Sequence, residues 1–212
     1  LAEFKKDDAK VNLLHAALLV GKLDNADIDP VHYEKVVGEM AGEIRAELPK
    51  NADAAQRLAA LGKYMFEENG YHGSRGDYYN RANSYLNEVI DDREGIPITL
   101  SILYMELARR LDLKMAGIGL PGHFVVGQIR DGKEPQLMDL FGNGKLISRK
   151  DAENIVRDFA GVPLREEHLA PVDNRAIIVR MLRNLIGISN ESQPPEVVLR
   201  YLNTLLLLQP DS

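Results

Sequence analysis

The sequence contains no cysteine. Disulfide bonds, thiolate metal sites and catalysis by a thiol are therefore all excluded. Histidine is scarce as well, with five in the chain, and none has a metal-ligand spacing such as His-x-x-x-His. His15, His32 and His72 lie far apart, which favours packing or surface roles for them. We therefore expect neither a metal nor another cofactor.

Long hydrophobic runs and an excess of basic residues are also missing. No apolar run approaches the roughly 18 to 20 residues of a membrane span, and residues 1–10 are too charged for the apolar core of a signal peptide. The formal net charge is -6, and acids and bases are interspersed without a basic stripe that could follow phosphate groups. We expect a cytoplasmic protein that binds neither nucleic acid nor an anionic membrane.

The composition that is present suits a folded protein of one or two domains, since 45% of the 212 residues are hydrophobic. Three helices are predicted in the first third of the chain. The first covers about residues 8–23; the second follows the capping pair Asp29-Pro30 and ends before Pro49; the third starts at Asp53 and ends at Asn69-Gly70. This part of the chain is therefore predicted to be helical.

Three asparagines follow a loop at residues 71–77. Asn80, Asn83 and Asn87 stand at i, i+3 and i+7, which would align them along one side of a short helix. Their amides could line a polar cleft or hold the neighbouring loop through hydrogen bonds to its backbone. The structural alternative is that they are caps and turn braces.

A central helix is predicted to begin at Pro97. Proline suits the first helical turn, because its missing N–H would have no intrahelical partner there. A core-facing stripe then recurs at helical spacing: Leu100, Leu103, Tyr104, Leu107, Ala108 and Leu111. The free N–H groups at such a helix start would stabilise a thiolate or hold an anion, but here a proline ring occupies this place.

Three strands are predicted after this helix, at residues 115–120, 124–129 and 136–140, with a turn at Asp131-Gly132. A two-residue turn would place residue 123 opposite residue 140, so that Asp139 would be one position out of register with His123. A bulge at Pro135 would change this register. A neighbouring carboxylate that orients His123 would form two thirds of a catalytic triad; the alternative is a hydrogen bond that braces a hairpin.

The last part of the chain is predicted to be helical again. A short helix carries Ile155, Val156 and Phe159, a linker follows around residues 170–173, and two apolar segments at 176–188 and 196–208 predict an antiparallel helical pair. Such pairs usually stack in threes or more, so one pair resembles an array that is cut short. We expect residues 1–170 to fold without it. Asn190-Glu191-Ser192 matches a glycosylation acceptor, but without a secretory signal we attribute it to chance.

Four local patterns occur together in this order: Asn83-Ser84-Tyr85-Leu86-Asn87, Gly95-Ile96-Pro97-Ile98-Thr99-Leu100-Ser101, Pro121-Gly122-His123-Phe124 and Met138-Asp139-Leu140-Phe141. With them the chain resembles the bacterial SirB-type family of transglutaminase-like proteins, which carry a tetratricopeptide-like segment after the core. The family name is linked to invasion-gene regulation, so the resemblance makes a regulatory role an expectation.

The resemblance also implies which triad positions are kept. Catalytic members of the wider superfamily carry a cysteine that maps onto Pro97, give or take a residue, while His123 and Asp139 map onto the other two positions. SirB-type proteins share the Gly-Ile-Pro sequence, which places this chain beside them and apart from the catalytic members. They usually show Asp-Pro-Phe where this chain has Asp139-Leu140-Phe141, a difference that affects the local turn and not the aspartate.

We therefore predict an α+β fold with a papain-like or transglutaminase-like core, in which a central helix packs on a small antiparallel sheet. The predicted segments are N-terminal helices at 1–75, the core at 76–170 and a tetratricopeptide-like pair at 171–212. The predicted function is noncatalytic binding of a protein or peptide, with Asn80, Asn83, Asn87, His123 and Asp139 as binding residues. The alternative is an acyl-transfer enzyme or hydrolase in which Ser101, or less favourably Thr99, is activated by His123 and Asp139. Ser101 itself could equally bond back into its own helix.

Overall fold

A computed structural model describes residues 11–130, 132–189 and 194–209 of the chain. Eight α-helices and seven strands lie within these ranges. The helices are α1 (Leu13–Gly21), α2 (Pro30–Glu47), α3 (Ala54–Gly62), α4 (Leu86–Asp92), α5 (Pro97–Arg110), α6 (Arg149–Ala160), α7 (Asn174–Ile188) and α8 (Pro195–Leu208). The strands are β1 (His72–Gly73), β2 (Glu94–Gly95), β3 (Met115–Ile118), β4 (Val125–Arg130), β5 (Lys133–Asp139), β6 (Lys145–Leu146) and β7 (Pro171–Val172).

The N-terminal helices begin where their capping residues predict. The Asp29 side chain accepts a hydrogen bond from the Val31 N–H, and Pro30 is the first residue of α2. Asp53 and Gln56 form a reciprocal capping box at the start of α3. A π-helical turn, Lys63–Glu68, then continues α3 almost to the predicted end at Asn69. The first helix begins at Leu13, where Asn12 caps it, and so starts later than the predicted residue 8; residues 1–10 lie outside the described residues.

Helix α5 is the centre of the fold. Every residue from Pro97 to Ala108 is buried, including the polar Thr99, Ser101 and Glu106. The helix packs against α1, α2 and α4 and against strands β3 and β4. The sequence predicted one core-facing stripe, whereas the structure buries the whole circumference, as expected of a helix that is covered on all sides.

A five-stranded antiparallel sheet covers one side of α5, in the order β6-β5-β4-β3-β7. Val126 and Met138 contribute to the main core with α5. The opposite face forms a second, smaller core in which Val125 and Leu137 pack with Val156 of α6. The prediction of an α+β fold with a central helix and a small antiparallel sheet is confirmed.

The register between β4 and β5 shifts near Pro135. Gln128 pairs with Gln136, and Arg130 pairs with Lys133. Between these two pairs β4 has one intervening residue and β5 has two, so β5 contains one additional residue. The additional residue lies in the part of β5 that contains Pro135, which is where the sequence allows a bulge. A one-residue shift exchanges the faces of a strand relative to its neighbour, so this irregularity decides which side chains share a face at the far end of the pair.

Four short strands, β1, β2, β6 and β7, are not among the predicted strands. Strand β1 lies within the predicted loop at 71–77 and pairs in parallel with β2, and β7 lies in the predicted linker and pairs with β3. Strand β6 extends the other edge of the sheet. Each is two residues long, which is too short for any hydrophobic alternation to be visible.

The C-terminal helices share the main core with the rest of the chain. Ile177 and Leu182 of α7 and Tyr201 of α8 belong to the same cluster as residues of α1, α2 and α5. The Tyr201 hydroxyl also donates to the carboxylate of Asp24, which follows α1. The segment boundaries at 75 and 170 stay predictions, but the packing is continuous across both of them.

Candidate functional site

His123 and Asp139 form a hydrogen-bonded pair at the end of the β4–β5 hairpin. The Nε2 atom of His123 lies 3.0 Å from Oδ1 of Asp139. The same oxygen accepts the backbone N–H of Phe141 at 3.1 Å. Because Nε2 donates to the carboxylate, Nδ1 is the ring nitrogen left as an acceptor. The pair has the arrangement that orients a histidine for proton transfer.

The register shift brings these two side chains to one face of the sheet. Val126 pairs with Met138, so Val125 opposes Asp139, and His123 lies two residues further along the same face. Without the shift, residue 123 would face residue 140, and the two side chains would point to opposite faces. The predicted proximity of His123 and Asp139 is therefore present, and the bulge is its cause.

The turn before His123 depends on glycine. Gly122 has a φ of +74°, and a Cβ there would lie 2.8 Å from Cβ of Phe159. Any other residue would be strained and would also push α6 away. The Pro121-Gly122 pair therefore lets α6 approach the histidine closely.

Arg180 of α7 supports the same turn from the other side. Its Nη2 donates to the carbonyl oxygens of Leu120 at 3.0 Å and His123 at 2.6 Å, and its guanidinium lies over the Phe124 ring at 5.4 Å. Burial lowers the pKa of Arg180. These bonds connect the C-terminal helices directly to the backbone of the candidate site.

Aromatic rings surround the imidazole. The Phe159 ring stacks on His123 with centroids 5.6 Å apart, and Phe141 meets it edge-on at 6.3 Å. Tyr78 contacts Phe141 at 5.9 Å, and Tyr79 contacts Tyr78. His123 is 7% exposed, whereas Phe159 is 67% and Tyr79 is 75% exposed. The buried histidine therefore has an exposed aromatic rim.

The N-terminus of α5 is where the resemblance predicts the position of the superfamily cysteine. Pro97 is the first residue of the helix and is buried. Gly95, two residues earlier, pairs with Gly73 of β1, and a Cβ on Gly73 would collide with the Phe141 ring. Phe141 thus contacts both the strand pair before α5 and the ring of His123.

The two candidate nucleophilic hydroxyls are bonded elsewhere. Ser101 Oγ donates to the Pro97 carbonyl at 2.6 Å, which is the bond back into its own helix that the sequence allows as the alternative to a nucleophilic role. Thr99 Oγ1 lies 2.8 Å from the Asn83 carbonyl and 3.1 Å from the Ile96 carbonyl. Both residues are fully buried. Within the described part of the chain, neither hydroxyl forms a hydrogen bond with His123.

The three asparagines do not share one helix. Asn80 caps a short 3-10 helix at Arg81–Ser84, Asn83 lies within it, and Asn87 lies in α4, because Tyr85 between them is extended. The expected alignment along one helical side is therefore wrong.

Their side chains bond to nearby residues. Asn83 Nδ2 donates to the Asp77 carbonyl at 2.8 Å, and Asn80 Nδ2 donates to the Asp77 carboxylate at 3.1 Å, so both brace the loop before them. Asn87 Nδ2 donates to Glu88, while its buried Oδ1 lies beside Gly21 and has no hydrogen-bond partner among the described residues. The predicted role of the three in binding stays a prediction.

Within the described ranges, no group of three or more histidine, aspartate or glutamate side chains could hold a metal ion. No helix in these ranges is both long and apolar enough to cross a membrane.

The fold and the His–Asp pair define a transglutaminase-like domain, and comparison with known families agrees. The sequence matches the family described as the transglutaminase-like superfamily over residues 31–183. The chain belongs to this superfamily.

Particular relatives are similar over most of the chain. A UPF0162 protein of Xylella fastidiosa is 31% identical over 97% of this chain and 74% of its own length. A UPF0162 protein of Vibrio cholerae is 26% identical over 97% of this chain and 77% of its own length. Human F-box only protein 21 is 27% identical over 74% of this chain, which corresponds to 26% of that protein.

Sequence reasoning missed the residues that enclose His123. Phe159 was recognised only as an apolar helix position and Phe141 only as part of a motif, and Arg180 was not singled out. The one local signal was Pro121-Gly122, since a glycine with positive φ before a candidate histidine indicates a close approach by another element. It did not show which element approaches.

Proposed function

We propose that this chain is a noncatalytic transglutaminase-like domain that binds a protein or peptide partner. The observation that carries the proposal is the environment of His123. Its ring is oriented by Asp139 but is flanked by Phe159 and Phe141, and neither candidate hydroxyl reaches it. A triad without a nucleophile orients an imidazole but forms no acyl intermediate.

The rival hydrolase function would require Ser101 to leave its present bond. Its hydroxyl would have to break the 2.6 Å bond to the Pro97 carbonyl and turn out of a completely buried position. Thr99 Oγ1 is held by the carbonyl oxygens of Asn83 and Ile96, and the residue is fully buried. Looser geometry is common in unliganded active sites, but burial inside α5 adds a packing cost to any rearrangement.

The exposed aromatic rim supports binding. Phe159 and Tyr79 are two of the most exposed large hydrophobic residues, and both belong to the ring cluster beside His123. Aromatic side chains are enriched at protein interfaces, where they supply apolar area and rigid shape. A partner that covers these rings would also enclose the His123–Asp139 pair, which offers a polar contact at the centre of an apolar patch.

The last helix offers a second exposed apolar surface. Leu199, Leu202 and Leu206 of α8 stand at i, i+3 and i+7 and are all exposed. Contiguous exposed apolar residues mark interaction surfaces, and stacked helical pairs commonly present such surfaces to proteins. This supports a protein partner rather than a nucleic acid or a membrane, in keeping with the net charge of -6.

The proposal is tested by selecting peptides on the wild-type protein by phage display and measuring their affinities by fluorescence polarisation. Phe159→Ala should weaken the binding of a selected peptide by at least about tenfold, as expected of an interface hot spot. The melting temperature of the protein should be nearly unchanged. Val31→Ala is the matched control, since Val31 is 68% exposed and lies on α2. Equal losses in both variants, or no loss in Phe159→Ala, would show that the rim is not the binding site.

A further inference from the structure

The Arg180 side chain lies beside the rings around His123 and has no ionic partner in the described part of the chain. We call this ring cluster the aromatic rim; it consists of Phe141, Phe159, Tyr78 and Tyr79. Nη2 of Arg180 donates to two backbone carbonyl oxygens, whereas Nε and Nη1 form no hydrogen bond or ion pair within the described residues. A guanidinium has five N–H donors, so three of them lack an acceptor there. Because Arg180 is only half-buried, these three are open to water or to a ligand.

Tyr78 connects Arg180 to the aromatic rim. The Tyr78 ring meets Phe141 edge-on with centroids 5.9 Å apart, and Tyr79 meets Tyr78 in the same way at 5.4 Å. Burial raises the pKa of the Tyr78 hydroxyl, and the nearby charge of Arg180 opposes that rise. The guanidinium is therefore a neighbour of the exposed rings and not a remote part of the core.

The other charges around the aromatic rim leave Arg180 unbalanced. The carboxylate of the site already holds the imidazole, and Asp158 of α6 forms an ion pair with Arg157. Arg75 and Asp77 lie on the loop before Tyr78, are both exposed and have opposite charges, so they stay hydrated and offset each other. Burial lowers the pKa of Arg180, with no carboxylate to oppose this. The half-buried cation is therefore the charge that a bound partner would affect most.

A partner that covers the aromatic rim would remove water from the free N–H groups of Arg180. Burying a charged donor without an acceptor is unfavourable, and burying it without an opposite charge adds to the loss. An apolar partner would supply neither, and a backbone carbonyl would supply only an acceptor. A carboxylate supplies both the acceptor oxygens and the opposite charge. The site therefore favours a partner with an acidic group over a purely apolar one.

We propose that the peptide or protein segment that binds at the aromatic rim carries an acidic side chain close to an apolar one. The carboxylate accepts hydrogen bonds from Nε and Nη1 of Arg180, and the apolar side chain packs on the rings of Tyr78 and Phe141. This inference rests on the proposed function, because it names the chemistry of the partner that the same site takes.

The test compares two blocked dipeptides, Ac-Glu-Phe-NH₂ and Ac-Gln-Phe-NH₂, which have nearly the same shape and differ in charge. Each is titrated into the ¹⁵N-labelled full chain at low ionic strength, where screening is weak. The Nε–H signal of Arg180 and the backbone amide signals of His123 and Phe159 report binding. The acidic dipeptide should bind with a dissociation constant on the order of 1 mM. It should bind about fivefold more tightly than the neutral one and should shift the Arg180 signal.

The outcomes separate this inference from the proposed function. Equal binding of the two dipeptides at the aromatic rim would overturn the acidic preference and would leave peptide binding intact. Binding of the acidic dipeptide without a shift of the Arg180 signal would overturn the assigned contact. If neither dipeptide shifts the reporter signals at its highest soluble concentration, the inference also fails. The proposed function fails only if phage selection yields no peptide whose binding depends on Phe159.

Two variants test the charge directly. Arg180→Gln should make the two dipeptides bind alike, whereas the matched control Arg183→Gln should keep the preference, since Arg183 is exposed on the same helix and bonds to Gln209. Arg180 also braces the turn before the histidine, so a second variant avoids a loss of folding. Asp77→Asn removes a negative charge beside Tyr78 and should strengthen binding of the acidic dipeptide alone by about twofold. An unchanged preference in folded Arg180→Gln, or in Asp77→Asn, would contradict the proposal.

Discussion

His123 and Asp139 are hydrogen-bonded at 3.0 Å although the sheet register places them two positions out of alignment. The Asp139 carboxylate spans this offset and also accepts the Phe141 N–H from the turn that follows β5. One oxygen thus fixes the imidazole and the backbone beside it. This shared acceptor couples the orientation of the imidazole to the turn that follows β5.

Removing the shared acceptor should destabilise the site. In Asp139→Ala the ring of His123 and the Phe141 N–H both lose their partner, which should cost about 1 to 3 kcal/mol. Asp139→Asn is the matched variant, because its amide oxygen can still accept both bonds. Chemical denaturation should therefore rank the stabilities as wild type, Asp139→Asn, Asp139→Ala. Equal stability of the alanine and asparagine variants would show that these bonds do not matter.

A thiol introduced at Pro97 should be reactive. Proline at the first helical position gives up no intrahelical bond when replaced, and the helix start lowers the pKa of a thiol. The chain has no other cysteine, so alkylation reports on this position alone. Pro97→Cys should react with iodoacetamide faster than a free thiol near neutral pH, and adding His123→Ala should slow it.

The alkylation rates of Pro97→Cys and of Pro97→Cys with His123→Ala are compared as a function of pH. If the two profiles coincide, the thiol at position 97 does not face the imidazole. The correspondence between Pro97 and the superfamily cysteine would then be wrong. Ile96→Cys and Ile98→Cys would be the next variants to compare, because they flank the same helix start.

The C-terminal helices should be required for folding. The sequence predicted that residues 1–170 fold alone, but Ile177 and Leu182 are fully buried in the main core, and Arg180 bonds to the turn before His123. Removing residues 173–212 would expose these surfaces. We expect the truncated chain to lose chemical-shift dispersion and cooperative melting; a well-dispersed spectrum would contradict the shared core.

A single substitution in α8 should also show that the stability of the fold depends on the C-terminal helices. Tyr201→Phe removes the hydroxyl that donates to the half-buried carboxylate of Asp24. We expect a loss of about 1 to 3 kcal/mol, typical of a hydrogen bond to a charged group, measured by urea denaturation. The Tyr33→Phe variant is the comparison, since its hydroxyl bonds to the more exposed Asp91.

Alkaline solution should weaken the fold through Tyr71. Burial raises the pKa of Tyr71 from 10.0 to about 12, and its hydroxyl donates to the Ile90 carbonyl. The folded state therefore keeps a proton that the unfolded state loses first, so this contribution is complete below pH 10 and is lost as the pH rises to about 12. The full contribution corresponds to about 3 kcal/mol.

Urea denaturation across this pH range measures the effect. Tyr71→Phe should show a shallower loss of stability than the wild type, by about 1.4 kcal/mol per pH unit. Below pH 10 the free energies of unfolding of the two proteins should change in parallel. Parallel curves through pH 12 would mean that Tyr71 ionises alike in the folded and unfolded chains.

Much of the fold follows from local signals in the sequence. Asp29-Pro30, Asp53 and Pro97 each stand at the start of the helix that they predict. The short strands β1, β2, β6 and β7 were missed because pairing with other segments of the chain, and not any pattern within them, makes them strands. Burial of the whole of α5 is also a tertiary effect, since its sequence shows only one strongly apolar stripe.

The candidate site was predictable only in part. The neighbouring strands made the contact between His123 and Asp139 an expectation, but the register depended on where a bulge falls, and Pro135 alone did not settle it. Phe159 and Arg180 come from α6 and α7, and periodicity cannot show that an apolar helix position stacks on a histidine. The Ser101 bond to Pro97 was one of two open alternatives, because a serine inside a helix can turn inward or bond back.

The most direct test of the noncatalytic function is intact-mass spectrometry of the folded protein after incubation with a fluorophosphonate, which modifies activated serine and threonine nucleophiles. His123→Ala, Ser101→Ala and a heat-denatured wild-type sample are run in parallel. We predict that the folded wild type gains no adduct beyond the denatured control, because Ser101 and Thr99 are buried and bonded within α5. A single adduct on the wild type that disappears in both His123→Ala and Ser101→Ala would contradict the account and establish a catalytic serine.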